Sequence, residues 1–324
     1  MRTSREGRHH CRPQPPGLGR LASWFCLGLV LCPAAAPAAD SPTLVRFGFS
    51  RAMFLDLNQN DARAAVKVYA TIMGSSHDLV VSESPGLFDD PAQIAEALAS
   101  GEADVVAMSA QEYLAIPRDL LSPRMIAADM AGSTTEEYVI LVRDDSGMAK
   151  LADLRGRRLI VYKSLRDSLS PLWLEVRLAQ EGLDPATRFF SHVGSTNKPS
   201  RTVLPVFFRQ EDACLITRRS YAVMGELNPQ LTKQLRVLVT SPSYVPDVTC
   251  FRASIPPNVL DRMIKTTVAA QYTTAGRQLL TIFQCQGIAE IASDKLDSSR
   301  ELIAEYARLN AKAQAAAVKP RKAR

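Results

Sequence analysis

Short apolar blocks recur along this chain, each followed by a stretch with helical spacing. Leu44-Val-Arg-Phe-Gly-Phe49 reads as a first strand. Asn58 to Met73 then places Ala65, Val66, Val68, Tyr69, Ile72 and Met73 on one helical face, ended by Gly74. Asp78-Leu-Val-Val-Ser82 is strand-like; Pro91 opens a helix through Ala99, stopped by Gly101; Asp104-Val-Val-Ala-Met108 is the next strand. Strands at 124–128 and 138–142 follow, then a helical turn at 151–154, a strand at 158–162 and a helix from Ser170 to Glu181 before Gly182. The same grammar continues with strands at 212–217 and 235–239 around a helix at 219–227, and the chain reads as helical from Pro256-Pro257 to about Leu309. Apolar strands that alternate with helices predict parallel sheets covered on both faces.

The first 39 residues break this pattern. Arg2, Arg5, Arg8, Arg12 and Arg20 precede the apolar run Leu21–Leu31, and the small-residue stretch Ala34–Ala39 precedes Asp40. This is the layout of a secretory signal, cleaved near Ala39, which predicts an exported, periplasmic chain. An uncleaved anchor is the alternative, although the run is short for a membrane span. A lipid-attached form is disfavoured, because the bulky Leu31 stands ahead of Cys32 where a small residue is needed.

Charge changes the picture little. The 324 residues hold 39 Lys+Arg and 33 Asp+Glu; without the first 39 residues, 34 basic face 32 acidic, and Lys319, Arg321, Lys322 and Arg324 crowd the end. A nearly neutral body gives no reason to expect nucleic-acid binding, and residues 313–324 read as a basic disordered tail. Cys214, Cys250 and Cys285 remain after cleavage. A Cys214–Cys250 bridge and three buried small apolar residues are both open readings. With no CxxC and only His77 and His192 in the mature chain, no metal site or cofactor is expected.

Several segments in register resemble the phosphate/phosphite/phosphonate-binding proteins of ABC transporters, a branch of the type II periplasmic binding proteins. They are Val45-Arg-Phe-Gly-Phe-Ser50, IAEALASGEADV at 94–105, YVILVRDDSGMAKLADL at 138–154 running into Arg155-Gly-Arg-Arg-Leu-Ile160, SLRDSLS at 164–170, Glu181-Gly-Leu-Asp-Pro185, Glu211-Asp-Ala-Cys214 and Ser241-Pro-Ser-Tyr-Val-Pro246. The resemblance implies an α/β clamshell of two lobes, with two mixed sheets joined by crossover hinge strands. Residues 40–138 and 246–312 would form the first lobe and 139–245 the second, with crossings near 134–142 and 244–252. It also implies a small anionic solute as ligand, a membrane permease as partner and a monomeric, non-catalytic role. A sensory component on the same fold is the alternative.

Candidate ligand residues are set by where such a fold binds. Ser164, Ser168 and Ser170 lie between a strand and a helix start, where backbone N–H groups and the helix dipole favour an oxyanion; Ser170, before Pro171, also reads as a simple N-cap. Ser50 and Arg51 end the first strand and Ser109 ends a later one, on the side where open α/β sheets bind ligands. Tyr138 sits at the first crossing, lining the cleft or packing the hinge. Thr196 belongs to a second loop, Gly194-Ser195-Thr196, facing the cleft. Asp212 begins a strand and matches an acidic position of the family, either for a ligand amine or as a strand start. The chain departs from the family at three points: no histidine follows Gly194, the serine loop reads Arg166-Asp-Ser-Leu169, and the family's crossover aromatic aligns nearer Glu136 than Tyr138. Asp167 in that loop repels a dianion unless Lys163, Arg166 or Arg201 compensates. No GxSxG, Walker A, HExxH or dinucleotide fingerprint supports an enzyme, although Cys214 or Cys250 with His192 stands as an imaginable nucleophile pair.

Overall fold

The structure is a computed structural model that describes residues 43–54, 67, 79–82 and 84–318. The expected signal segment, most of the expected helix at 58–73, His77 and residues 319–324 lie outside the described residues. The described elements belong to one compact unit, Asp40–Arg324.

Two mixed sheets carry the fold. The larger is built from β2 (Phe47–Ser50), β4 (Gly86–Phe88), β5 (Val105–Ser109), β6 (Leu121–Asp129), β12 (Asp247–Arg252) and β13 (Gly287–Ala292), in the order β13-β6-β12-β5-β2-β4. The smaller holds β7 (Glu136–Arg143), β8 (Arg158–Tyr162), β9 (His192–Thr196), β10 (Ala213–Thr217) and β11 (Leu235–Tyr244), in the order β11-β7-β10-β8-β9. β1 (Thr43–Val45) pairs separately with β3 (Leu79–Val81). The helices are α1 (Pro91–Ser100), α2 (Ala110–Ala115), α3 (Ser170–Gln180), α4 (Ala186–Phe189), α5 (Pro199–Phe207), α6 (Arg218–Leu227), α7 (Pro229–Gln234), α8 (Pro257–Ala270), α9 (Thr274–Ile282) and α10 (Asp297–Val318). The chain passes between the sheets at 130–135 and again at Val245-Pro246.

The inner strands of both sheets are buried on both faces, which is why they read as unbroken apolar runs. Along β7, Tyr138, Ile140 and Val142 enter one core while Val139 and Leu141 enter the opposite one. The first predicted strand is divided at Arg46. Its backbone N–H donates to the Asp104 carboxylate (3.0 Å), which also takes the guanidinium of Arg252 (2.6 Å). That buried carboxylate ties the entry of β2 and β5 to the exit of β12. Helix α1 ends as its sequence predicts: Asp90 accepts from Ala92 and Gln93 at the start, and Gly101 takes φ +80° at the end. Only glycine holds that angle without strain, so Gly101→Ala is expected to lower stability by about 1 kcal/mol, read from the urea midpoint. A midpoint unchanged by the substitution would remove that role.

The structure corrects several expectations. β9 occupies the segment read as the loop Gly194-Ser195-Thr196, and β13 interrupts the stretch read as helical. The alanine-rich residues of the expected tail continue α10 to Val318, since alanine is the strongest helix former. That helix, assigned with the first lobe, packs Leu302, Ile303, Tyr306 and Leu309 on the core of the five-stranded sheet. Cys214 and Cys250 sit in different sheets and are both free and buried, so no bridge joins them. Burial raises both thiol pKa values, Cys250 to about 12, which leaves neither poised as a nucleophile. Among the described residues no helix is long and apolar enough to cross a membrane.

Candidate functional site

The carboxyl ends of β8 and β10 meet the first residues of β7 and β12 at the two crossings, where Tyr138 pairs with Thr217 and Asp247 with Ser109. A crevice lies here between the sheets. Its polar part, about 120 Å³, is walled by Glu136, Ser164, Arg166, Thr217, Arg219 and Ser220 from the five-stranded side and its crossing, and by Met53, Met130, Phe283 and Gln284 opposite. Helix α6 starts at this pocket. Thr217 caps it, accepting from the Ser220 N–H at 3.1 Å, so the start of the helix, with the positive end of its dipole, borders the crevice.

Two guanidiniums supply positive charge, and each is held by a buried carboxylate. Arg219 Nε donates to Glu136 at 3.2 Å, and Arg166 reaches Asp247 at 3.7 Å from the opposite sheet. Glu136 is only 3% exposed. Burial raises its pKa against the pull of Arg219 and Arg166. Burial likewise raises that of Asp247, with Arg166 opposing. The pocket thus places arginines and hydroxyls next to two buried carboxylates whose pKa values are raised.

The sequence matches, over residues 84–296, the family described as the periplasmic substrate-binding proteins of phosphonate ABC transporters. The chain belongs to this family. The family's role is to capture a substrate for an ABC importer, and its members are periplasmic transport components. The fold of this binding protein is similar to that of XAC2383 from Xanthomonas citri bound to ATP (15% identity, 83% of this chain and 98% of that chain covered, TM-score 0.57). It is similar also to PhnD1 from Prochlorococcus marinus in complex with methylphosphonate (14%, 83% and 99%, TM-score 0.55), and to a binding protein component of an ABC phosphonate transporter from Pseudomonas aeruginosa (14%, 83% and 88%, TM-score 0.53). No curated protein matches the sequence.

The residues anticipated for this binding protein divide by position. Ser164 lines the pocket, with its hydroxyl donating to Asp167 at 2.6 Å. The hydroxyls of Ser168 and Ser170 are buried without a hydrogen-bond partner among the described residues, and neither residue walls the pocket. Ser170 is the first residue of α3 rather than its cap, because a 3-10 turn at 165–167 runs almost directly into the helix. That turn uses the N–H groups of Asp167 and Ser168 on the carbonyls of Ser164 and Leu165, so they are not the outward donors expected. Thr196 ends the edge strand β9 opposite Tyr162, with its carbonyl accepting from Lys163. Ser50 and Ser109 come together, both donating to Glu112, Ser109 at 2.7 Å within a capping box. Arg51 pairs with exposed Asp89.

Of the nine candidates only Ser164 is among the residues that wall the pocket; the last two are Tyr138 and Asp212. Tyr138 is fully buried, between Tyr244 and Trp173, and its hydroxyl donates to the Arg166 carbonyl at 3.0 Å. Asp212 precedes β10 at the end opposite Thr217 and accepts from the Arg158 N–H at 2.8 Å. Residues missed by the sequence reading are Arg219, Glu136 as its partner, Asp247 and Thr217–Ser220.

The raised pKa of Asp247 has a measurable consequence. The unfolded carboxyl ionises near 3.8 and the folded one above it, so the folded state binds more protons between those values. The native chain is therefore expected to lose stability as pH rises through that window. Asp247→Asn lacks this loss, so its stability relative to the native chain is expected to increase from pH 4 toward neutral in paired urea titrations. A pH-independent difference would show that Asp247 ionises normally.

Proposed function

We propose that this chain binds a small oxyanion of the phosphonate class in the crevice and delivers it to the permease of an ABC importer. The observation that carries the reading is the convergence of Arg166, Arg219, Thr217 and Ser220 on one polar pocket at the start of α6, in a chain of this family. The arginines neutralise the anion, and the first turn of α6 donates to its oxygens. Glu136 and Asp247 orient the guanidiniums before the ligand arrives. The solute touches both sheets, so its extra contacts favour the closed arrangement over the open one. In this reading residues 40–138 and 246–312 move as one lobe against 139–245, with α10 bridging them, and the mature, monomeric protein starts near Asp40.

Calorimetric titration with methylphosphonate, phosphite, phosphate and sulfate tests the proposal. Methylphosphonate or phosphite is expected to bind, and more tightly than sulfate. If none of these anions gives a heat of binding, the reading is wrong.

A further inference from the structure

A second compartment, which an oxyanion head does not need, adjoins the polar pocket. It holds about 90 Å³ and is walled chiefly by Phe49, Met53, Ile126, Leu280, Phe283 and Ile288, on the face of the six-stranded sheet under α8 and α9. Arg166, with Met53, Leu165 and Phe283, borders both compartments and stands between them. The polar groups that border it are few: Arg166 reaches Asp247 at 3.7 Å, the Asp247 Oδ2 atom is buried without a hydrogen-bond partner among the described residues, and the Thr267 hydroxyl donates to the Met263 carbonyl at 2.8 Å.

The walls of this space are mostly apolar, and apolar cavities accept apolar guests. Phe49 and Phe283 lie nearly parallel, 6.3 Å apart at 3°, and Phe54 is tilted against both. Their faces and edges suit a further ring or an alkyl group.

Resting on the reading above, we propose that the substrate is an organophosphonate with an apolar alkyl or aryl substituent, its head held between Arg166 and Arg219 and its substituent seated in the Phe49–Phe283 compartment. The bare anions, phosphate and phosphite, fill only the outer half of such a site. Selection among phosphonates then rests on apolar burial, because every member offers the same head to the arginines.

The experiment is a calorimetric series on the chain with methyl-, butyl- and phenylphosphonate, at several temperatures. Butyl- or phenylphosphonate is expected to bind about tenfold or more tightly than methylphosphonate, with a more negative heat-capacity change, the marker of apolar burial. Ala128→Leu, which narrows the compartment opposite Ile288, is expected to bring the phenyl-to-methyl ratio down toward one. Methylphosphonate binding as tightly as the larger ligands, with the same heat-capacity change, overturns this proposal and leaves the phosphonate reading intact. Absence of binding by all three overturns both. The heat-capacity comparison stands on the native chain alone, so a misfolded variant does not obscure the result.

Discussion

Arg219→Ala is expected to weaken methylphosphonate binding by about 100-fold. A hydrogen bond to a charged group contributes about 1.5–3 kcal/mol, and each 1.4 kcal/mol is a factor of ten. The substitution removes a positive charge at the start of α6 and also strips Glu136 of its partner at 3.2 Å. A carboxylate this deeply buried then either takes a proton or faces the incoming anion with unmatched charge. The companion variant separates these effects. Adding Glu136→Gln to Arg219→Ala is expected to restore stability, because a neutral amide has no unpaired charge to bury, while affinity stays low because the guanidinium is still missing. Calorimetry gives the affinities and urea titration the stabilities. An Arg219→Ala affinity within threefold of the native chain would remove Arg219 from the site. Full recovery of affinity in the double variant would show that Arg219 acts only by silencing Glu136.

Much of the fold was legible because its information is local. β5, β7, β8 and β10 are buried on both faces and announce themselves as apolar runs, while α1 carries a capping aspartate, a first-turn proline and a terminal glycine within a dozen residues. β13 has no such signature. Gly287-Ile-Ala-Glu-Ile-Ala292 is short, lies between helices and is a strand only because it pairs with β6, far earlier in the chain. Arg219 was hidden for the same reason. A charged residue in the first turn of a helix looks like solvated surface until Glu136, 83 residues earlier, is placed beside it. Asp212 was open between two readings, a ligand partner and a strand start; it stands at the start of β10, and parallel strands present ligand groups at their other end. That rule points to Thr217 and the first turn of α6. The serine loop was read correctly as the turn between β8 and α3, yet how its amides were used depended on a 3-10 turn with no sequence signal of its own.

Tyr138 shows how a buried ring can shape a site it does not touch. Its ring lies 5.8 Å from that of Tyr244 and 6.4 Å from that of Trp173, in the core that α3 and α10 close. Removing it with Tyr138→Ala is expected to cost about 3–5 kcal/mol, the usual loss for deleting a buried aromatic side chain. Tyr138→Phe keeps the ring and loses only the hydroxyl, whose bond to the Arg166 carbonyl is worth about 1 kcal/mol. The phenylalanine variant should therefore fold almost normally. Binding is a separate matter, because that bond fixes the turn carrying the Arg166 side chain to the crevice. With the turn loosened, the guanidinium must be ordered by the ligand itself, and affinity is expected to fall by about fivefold to tenfold through that ordering cost. Denaturation and calorimetry on the two variants separate packing from positioning. If Tyr138→Phe binds as tightly as the native chain, the ring is only core filling. If Tyr138→Ala costs less than about 1 kcal/mol, far below the usual range for such a deletion, the aromatic stack does not hold the crossing together. A loss of affinity in Tyr138→Phe with its stability nearly intact makes the tyrosine a positioning residue, acting through the backbone of Arg166.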